Sequence, residues 1–453
     1  IADTVAAPAA IAIHTAALTA ARARAEGPTA WTRMAFHAAR AGDHATAIVA
    51  AERLATDATA RHAPLEAERW LTLALDELTA RGDDDDERRA LRQHLLGQRG
   101  ATRRLLTHYE TAQSDLRAAR ELATARGDRV AVTALQIADG AVCDFTERLG
   151  ESARLIEDAA AHAPELPPAV QAQLDNWLGV VRARQERLTE ARELLTRAIA
   201  VAEPGGDHAT AIGSRLMLGG VLRRLGLLDD CRAVLDRAIE LCDRQGDHFH
   251  LAIGLFNRVN LWRQLDRPRE AEADAERAIG VANRMGLDQV ELWGWYDLSL
   301  LRFWAGDLRG ALAASEASHR IGSERFREAP PVVASVWYAL LLAAAGEVTP
   351  ARRELEQLRV DDLGANPFLA LTRDLTALAC ADAIGAAWAG VIEQAGRDTA
   401  DPEDAVFVWW MQARTARRLG DDAVAARCHA EAVTAAAALG RACPPLAWPG
   451  EEP

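Results

Sequence analysis

Gly226-Leu-Leu-Asp-Asp-Cys231, Asp266-Arg-Pro-Arg-Glu-Ala271, Gly306-Asp-Leu-Arg-Gly-Ala311 and Gly346-Glu-Val-Thr-Pro-Ala351 follow one another at intervals of forty residues. Each reads as a tight turn followed by a new helix. Five residues after each turn marker stands a small residue: Cys231, Ala271, Ala311 and Ala351. Twelve after come Ala238, Ala278, Ser318 and Leu358, and seven before come Gly219, Val259, Ser299 and Ala339. Small side chains at these offsets let two antiparallel helices approach closely, so that the ridges of one settle into the grooves of the other.

The register extends outward. The turn near Glu186 has Gly179, Ala191 and Ala198 at the same offsets, and the turn at Gly420 has Ala413, Ala425 and Ala432. Thr107 has Gly100, Ala112 and Ala119, and Gly42 has Ala35 and Ala47, with Trp31 ahead of them. The match weakens at Gly150, where the small positions hold Leu155 and His162, and again around Gly385, which is followed by Gly390. Gly127-Asp128, Gly206-Asp207 and Gly246-Asp247 end one helix and cap the next, glycine supplying the left-handed residue and aspartate the N-cap. Prolines such as Pro28, Pro64, Pro168, Pro268, Pro350 and Pro402 fall where first helical turns are expected. No segment alternates with the period of a strand.

This pattern resembles the tetratricopeptide repeat (TPR), with longer helices than the standard form. It predicts an all-α, right-handed superhelical solenoid of antiparallel helix pairs, about ten or eleven hairpins at the forty-residue period. The expected organisation is an N-terminal helix or junction over 1–27 and helical repeats over 28–128. A TPR-like solenoid follows over 129–440, and a tail over 441–453.

Composition narrows the chemistry. The 453 residues carry 52 basic and 66 acidic side chains, a net charge of −14, and every basic residue is arginine. Without lysine there is no P-loop, Schiff-base or kinase-type phosphate lysine. The acidic balance argues against nucleic acid or an anionic membrane as direct partner. No apolar run is long enough to span a bilayer. Six cysteines without a C-x-x-C pair read as buried thiols of a cytoplasmic protein. Ile1 stands where an initiating Met would, which points to a piece of a longer chain.

Motifs of catalysis and metal binding are missing. The acidic run Asp83 to Glu87 lacks the alternation of a calcium loop and serves to complement a helix dipole. His248-Phe-His250 and Asp207-His208 have no ligand partner at helical spacing. No nucleophile elbow, dinucleotide loop or carboxylate pair appears. The expectation is a non-enzyme without metal or cofactor.

Tryptophan is the informative residue: it supplies 12 of the aromatics. Trp31 and Trp409 fall at the offset of a packing residue. In a helical-hairpin solenoid the first helices line the concave face, and fixed offsets before each turn should face the groove. They select Asn176, Arg184, Arg223, Arg224, Phe256, Asn260, Arg263, Trp293, Tyr296, Phe303 and Trp304. An aromatic wall beside arginines and amides suits a peptide, a protein segment or an anionic small molecule. The bland alternative is that the rings fill gaps between alanine-rich faces.

Two stretches also resemble known regulators. Trp31-Thr-Arg-Met-Ala-Phe-His-Ala-Ala-Arg-Ala-Gly-Asp43, followed by Ala63-Pro-Leu-Glu-Ala-Glu-Arg-Trp70, is similar to the junction before the repeat arm in large bacterial signal-transduction NTPases. These include large ATP-binding LuxR-type and actinobacterial antibiotic regulators. The repeats from about 129 to 440 resemble the sensor arm of maltose-regulon activators. The resemblance implies a regulatory arm that senses an inducer or partner protein, with NTPase and DNA-binding modules elsewhere on the same polypeptide. The other reading is a freestanding scaffold for protein–protein interaction.

Overall fold

The computed structural model describes residues 7–23, 28–82, 85–146, 148–161, 166–326, 332–358, 372–374, 376–377, 379–380 and 402–449. Their regular elements are helices in antiparallel succession. Two compact units divide the chain, Ile1–Asn257 and Arg258–Pro453. The first holds α1 (Ala7–Arg22), α2 (Pro28–Ala41), α3 (His44–Ala60), α4 (Pro64–Ala80), α5 (Asp86–Leu105) and α6 (Tyr109–Ala125). It continues with α7 (Arg129–Phe145), α8 (Leu149–Ala161), α9 (Pro168–Arg184), α10 (Leu188–Ala202), α11 (His208–Arg224) and α12 (Leu228–Gln245). The division falls inside α13 (His248–Gln264). The second unit contains α14 (Pro268–Met285), α15 (Asp288–Trp304), α16 (Leu308–Arg325), α17 (Val332–Ala344), α18 (Val348–Gln357), α19 (Pro402–Arg418) and α20 (Asp422–Ala438).

The turn markers do what the sequence demands of them. Gly226, Gly306 and Gly346 have φ of 74°, 81° and 86°, the left-handed conformation that ends one helix and redirects the chain. Thr107, Glu186 and Asp266 hold the same conformation without being glycine, at φ 60°, 61° and 52°. Asp128, Asp207 and Asp247 cap the next helices, accepting from the amides of Ala131, Thr210 and His250 at 3.0, 3.1 and 3.1 Å. Asp85 caps α5 in the same way, so the described part of the acidic run serves a helix N-terminus.

The small positions are the packing contacts of each hairpin. Ala112, Ala191, Cys231, Ala271, Ala311 and Ala351 are all fully buried. Where the position before the turn is glycine, it lies under a large side chain of the returning helix. A Cβ added at Gly100 would stand 2.8 Å from Leu116 Cγ, at Gly179 2.8 Å from Leu195 Cγ, and at Gly219 2.6 Å from Leu235 Cδ2. Leu116, Leu195 and Leu235 are among the largest fully buried side chains.

One marker is placed differently from the sequence expectation. Gly150 lies inside α8, which begins at Leu149, so the connection from α7 comes before it. Counted from 147, the small positions become Gly140, Ser152 and Ala159, all buried. A Cβ added at Gly140 would stand 2.7 Å from Ile156 Cδ1, the close approach seen at its counterparts. The apparent break in the repeat came from choosing as marker a glycine that lies inside the following helix. Gly385 and Gly390 lie outside the described residues.

Substitution should separate these roles. Gly219→Val overpacks the contact with Leu235 and should cost about 1–3 kcal/mol in urea unfolding. Gly220 has nothing within 4 Å of its added Cβ, so Gly220→Ala should stabilise by about 0.5–1 kcal/mol. Equal effects at the two sites would refute the packing assignment.

Candidate functional site

The groove residues anticipated from the offsets fall in both units. In the first unit Asn176 is buried, its Oδ1 accepting from the Ser214 hydroxyl at 2.8 Å. Arg184 pairs with Asp144 at 3.4 Å, and Arg224 with the neighbouring turn residue Glu186 and the Ala183 carbonyl. Arg223 and Phe256 are half-buried. In the second unit Arg263 pairs with Asp297 at 3.2 Å, and Asn260 is half-buried beside it on α13. Arg184 and Arg263 are therefore paired with acids of other helices, and Arg224 with an acid of a turn. They do not form the open cationic wall the sequence suggests.

The aromatic residues of α15 do come together. Trp293 meets Tyr296 edge-on at 5.6 Å, and Tyr296 meets Trp337 at 6.5 Å. Phe303 is fully buried, with ring centroids 5.5 Å from Trp337, 5.1 Å from Phe407 and 5.0 Å from Trp410. It is a core ring and offers no surface to a ligand. Trp304 is half-buried and packs on Phe407 at 5.5 Å. Its indole N–H is enclosed and has no acceptor among the described residues.

What covers this face is the chain itself. Residues 441–449 run without helix against α13, α15, α16 and α19. Trp410 Nε1 donates to the Pro445 carbonyl at 3.2 Å, Arg414 Nη1 to the Leu446 carbonyl at 2.8 Å, and Arg309 Nη2 to the Pro449 carbonyl at 2.8 Å. Arg441 lies over the Trp304 ring at 5.0 Å and reaches the Arg263 carbonyl at 3.4 Å. Cys443, Leu446 and Trp448 pack against the aromatic core, and Arg414 lies over Trp448 at 5.8 Å.

Two features of the repeat make this seating fit. Gly306 is a turn residue in left-handed conformation, and Pro445 Cδ lies 3.1 Å from where its Cβ would be. A side chain there would strain the turn and push the segment off. Arg414 is nearly fully buried and also donates to the Ala344 carbonyl, so the fork is fixed before it meets the segment. A cavity of about 240 Å³ adjoins it, lined by Ala344, Gly346, Met411, Arg414, Arg417 and Arg418.

Sequence offsets before the turns selected Trp304 and Arg263 but missed Arg309, Trp410 and Arg414. Trp410 and Arg414 lie ten and six residues before the turn at Gly420. Those are the offsets that selected Tyr296 and Asn260, so the same rule applied to the last hairpin would have found them. Nothing in the period foretells the docked segment, because it has no repeat pattern of its own.

Among the described residues no group of three or more His, Cys, Asp or Glu side chains is arranged to hold a metal, and no helix is long and apolar enough to cross a membrane. Five of the six cysteines are buried free thiols; Cys443 alone is partly exposed. Asp247 in the first unit is raised by burial, but the hydrogen bonds and charge of His250, with His62 at 3.8 Å, hold it below the usual carboxylate value. These histidines are thus engaged with an aspartate.

No protein-family model matches the sequence, and no curated protein matches it. Solved structures do share the fold. A Rap protein complexed with competence and sporulation factor is 11% identical over 78% of this chain and 99% of its own, with a TM-score of 0.53. The apo form of RapI is 10% identical over 74% of this chain and 98% of its own, with a TM-score of 0.51. The apo quorum sensor NprR from B. thuringiensis is 11% identical over 73% of this chain and 97% of its own, with a TM-score of 0.50. The fold is that of the TPR-like helical solenoids to which these proteins belong.

Cys443 reports the docked state. Burial pushes its thiol up to about 11, which starves it of the reactive thiolate near neutral pH. In the intact chain, alkylation at pH 8 should be slow. Arg414→Ala, which removes the donor to Leu446, should speed it about tenfold or more as the thiol regains ordinary acidity. Cys231, also pushed up to about 11 but inside a hairpin contact, should stay unreactive in both. An unchanged Cys443 rate in a folded Arg414→Ala chain would show that Arg414 does not hold the segment.

Proposed function

We propose that this chain is a non-catalytic regulatory arm whose second unit recognises an extended peptide in the groove of α13, α15, α16 and α19. One observation carries the reading. Three side chains, Trp410, Arg414 and Arg309, already donate to the carbonyls of Pro445, Leu446 and Pro449 in a non-helical segment lying across that groove. Donation to main-chain carbonyls is how a groove holds a peptide irrespective of its side chains, while neighbouring pockets supply selectivity. Here the selective elements are the floor at Gly306 for a proline and the Arg414 face for an aromatic ring. The residue types favour a partner segment with proline and tryptophan, such as 441–449 itself carries.

The solved solenoids of the same fold support a regulatory role, one of them being a quorum sensor and another having been solved in complex with a signalling factor. The similarity of residues 31–75 to the junction of signal-transduction NTPases supports an NTPase and a DNA-binding module on the same polypeptide. In that arrangement the arm acts through differential binding energy alone. The freestanding scaffold is the alternative, and an open reading frame encoding a P-loop domain ahead of Ile1 separates the two.

The groove is tested with its own segment. A chain ended at Gly440 should bind a synthetic peptide of residues 441–453 with one-to-one stoichiometry. Arg414→Ala in that shortened chain should weaken binding by about tenfold or more, the loss expected for a hydrogen bond from a charged donor. The intact chain should bind the peptide far more weakly, because its own segment competes at an effective concentration of order millimolar. A shortened chain that remains helical by circular dichroism yet takes no peptide would overturn the proposal.

A further inference from the structure

A second site is formed in the first unit, far in sequence from the peptide groove. Arg99, Arg103 and Arg104 follow one another at the end of α5. Arg99 forks onto Asp115 with both distances at 2.8 Å, and Arg103 pairs with Glu68 and Asp115 at 2.8 Å each. Arg104 is different. Among the described residues its guanidinium makes no ion pair and no hydrogen bond; its side-chain neighbour is the Phe145 ring, whose centroid lies 5.4 Å away. The side chain keeps a water-accessible edge, yet the surrounding protein is dense enough that desolvation pushes it below the ordinary arginine value.

The rings around it come from separate repeats. Tyr109, at the start of α6, stacks on Phe145 at 6.2 Å with planes 12° apart. Phe145 meets Trp177 of α9 edge-on at 6.1 Å and Phe249 of α13 at 6.4 Å. Neither the Tyr109 hydroxyl nor the Trp177 indole N–H has a hydrogen-bond partner among the described residues, although both side chains are only half-buried. Burial also pushes the Tyr109 phenol up, so it remains a neutral donor. Asp144, next to Phe145 in sequence, pairs with Arg184, and Asp247, two residues before Phe249, pairs with His250.

We propose that Arg104, Tyr109, Phe145, Trp177 and Phe249 form a binding site for an aromatic carboxylate. An uncompensated guanidinium in a chain of net charge −14 calls for an anion, and its planar fork suits a carboxylate held at two oxygens. The aromatic walls call for an apolar, flat body on that anion. Tyr109 and Trp177 add two donors for further acceptors. The site uses the first unit alone and stands whether or not the peptide groove is correctly read.

Naphthalene-2-carboxylate is the probe, with 2-naphthamide and acetate as controls for charge and for ring. With the intact chain, the naphthoate should raise the melting temperature in a saturable, concentration-dependent way, and the two controls should not. Arg104→Gln should abolish the shift. Arg104→Lys, which keeps the charge and loses the fork, should weaken it by about tenfold. Tyr109→Phe should retain the fold and weaken binding. Circular dichroism confirms that each variant is helical, and if one fails to fold, the remaining two decide. No saturable shift with the naphthoate, or an equal shift with 2-naphthamide or in the folded Arg104 variants, would overturn the proposal.

Discussion

Everything in this molecule depends on how closely two helices of a hairpin approach. The Gly219 position meets Leu235 with no room for a Cβ, and Gly100, Gly140 and Gly179 repeat the arrangement with Leu116, Ile156 and Leu195. Helix axes that close are held by dispersion along their whole length, and the interior tolerates little added volume. Because the returning helix must also contribute alanine at its contact points, the large side chains are pushed to other faces. That is why a chain rich in alanine carries its tryptophans in clusters.

The period was legible because close packing constrains residue size at fixed offsets, and size survives in a sequence. The turns were legible too, even at Thr107, Glu186 and Asp266, where no glycine marks the left-handed residue. Gly150 misled because glycine was weighted above position, and α8 begins one residue before it. The groove was legible only in outline. Offsets selected Trp293, Tyr296 and Trp304, which lie on α15, and Arg263, which pairs with Asp297 of that helix, but could not say which rings would be covered. Phe303 occupies the offset that Arg104 and Arg263 occupy in other repeats. In one repeat that position is sealed by Trp337, Phe407 and Trp410; in another it is left beside open rings. Burial depends on the neighbouring repeats, and no single-repeat pattern contains them.

Charge follows the same logic. Several of the chain's arginines are paired with carboxylates of the same hairpin. Arg99 with Asp115 and Arg258 with Asp274 clamp the two helices of their hairpins through two-pronged contacts of 2.7–2.8 Å. Removing one partner of such a pair leaves the other charge buried and uncompensated, at a cost of about 3–5 kcal/mol. An arginine left outside this scheme is informative for that reason. Its desolvation is not repaid within the described fold, so its retention points to a partner that the fold does not supply.

The two candidate sites recognise opposite features of a ligand. The groove of the second unit offers donors to neutral carbonyls, and the turn at Gly306 forms part of its floor. The same residue ends α15 in a conformation that a side chain would strain, so the repeat and the seat of Pro445 share one constraint. A turn that is glycine leaves a bare patch of backbone at its surface. A proline ring, which has no amide hydrogen to satisfy, can rest on that patch without leaving a donor unpaired. The aromatic patch of the first unit works the other way, presenting charge without a counter-charge. Under the two proposals, a peptide groove sealed by its own segment and a separate site for an anion would give the chain two inputs. Each acts on helices of the same repeat grammar, through the close contacts that set their spacing.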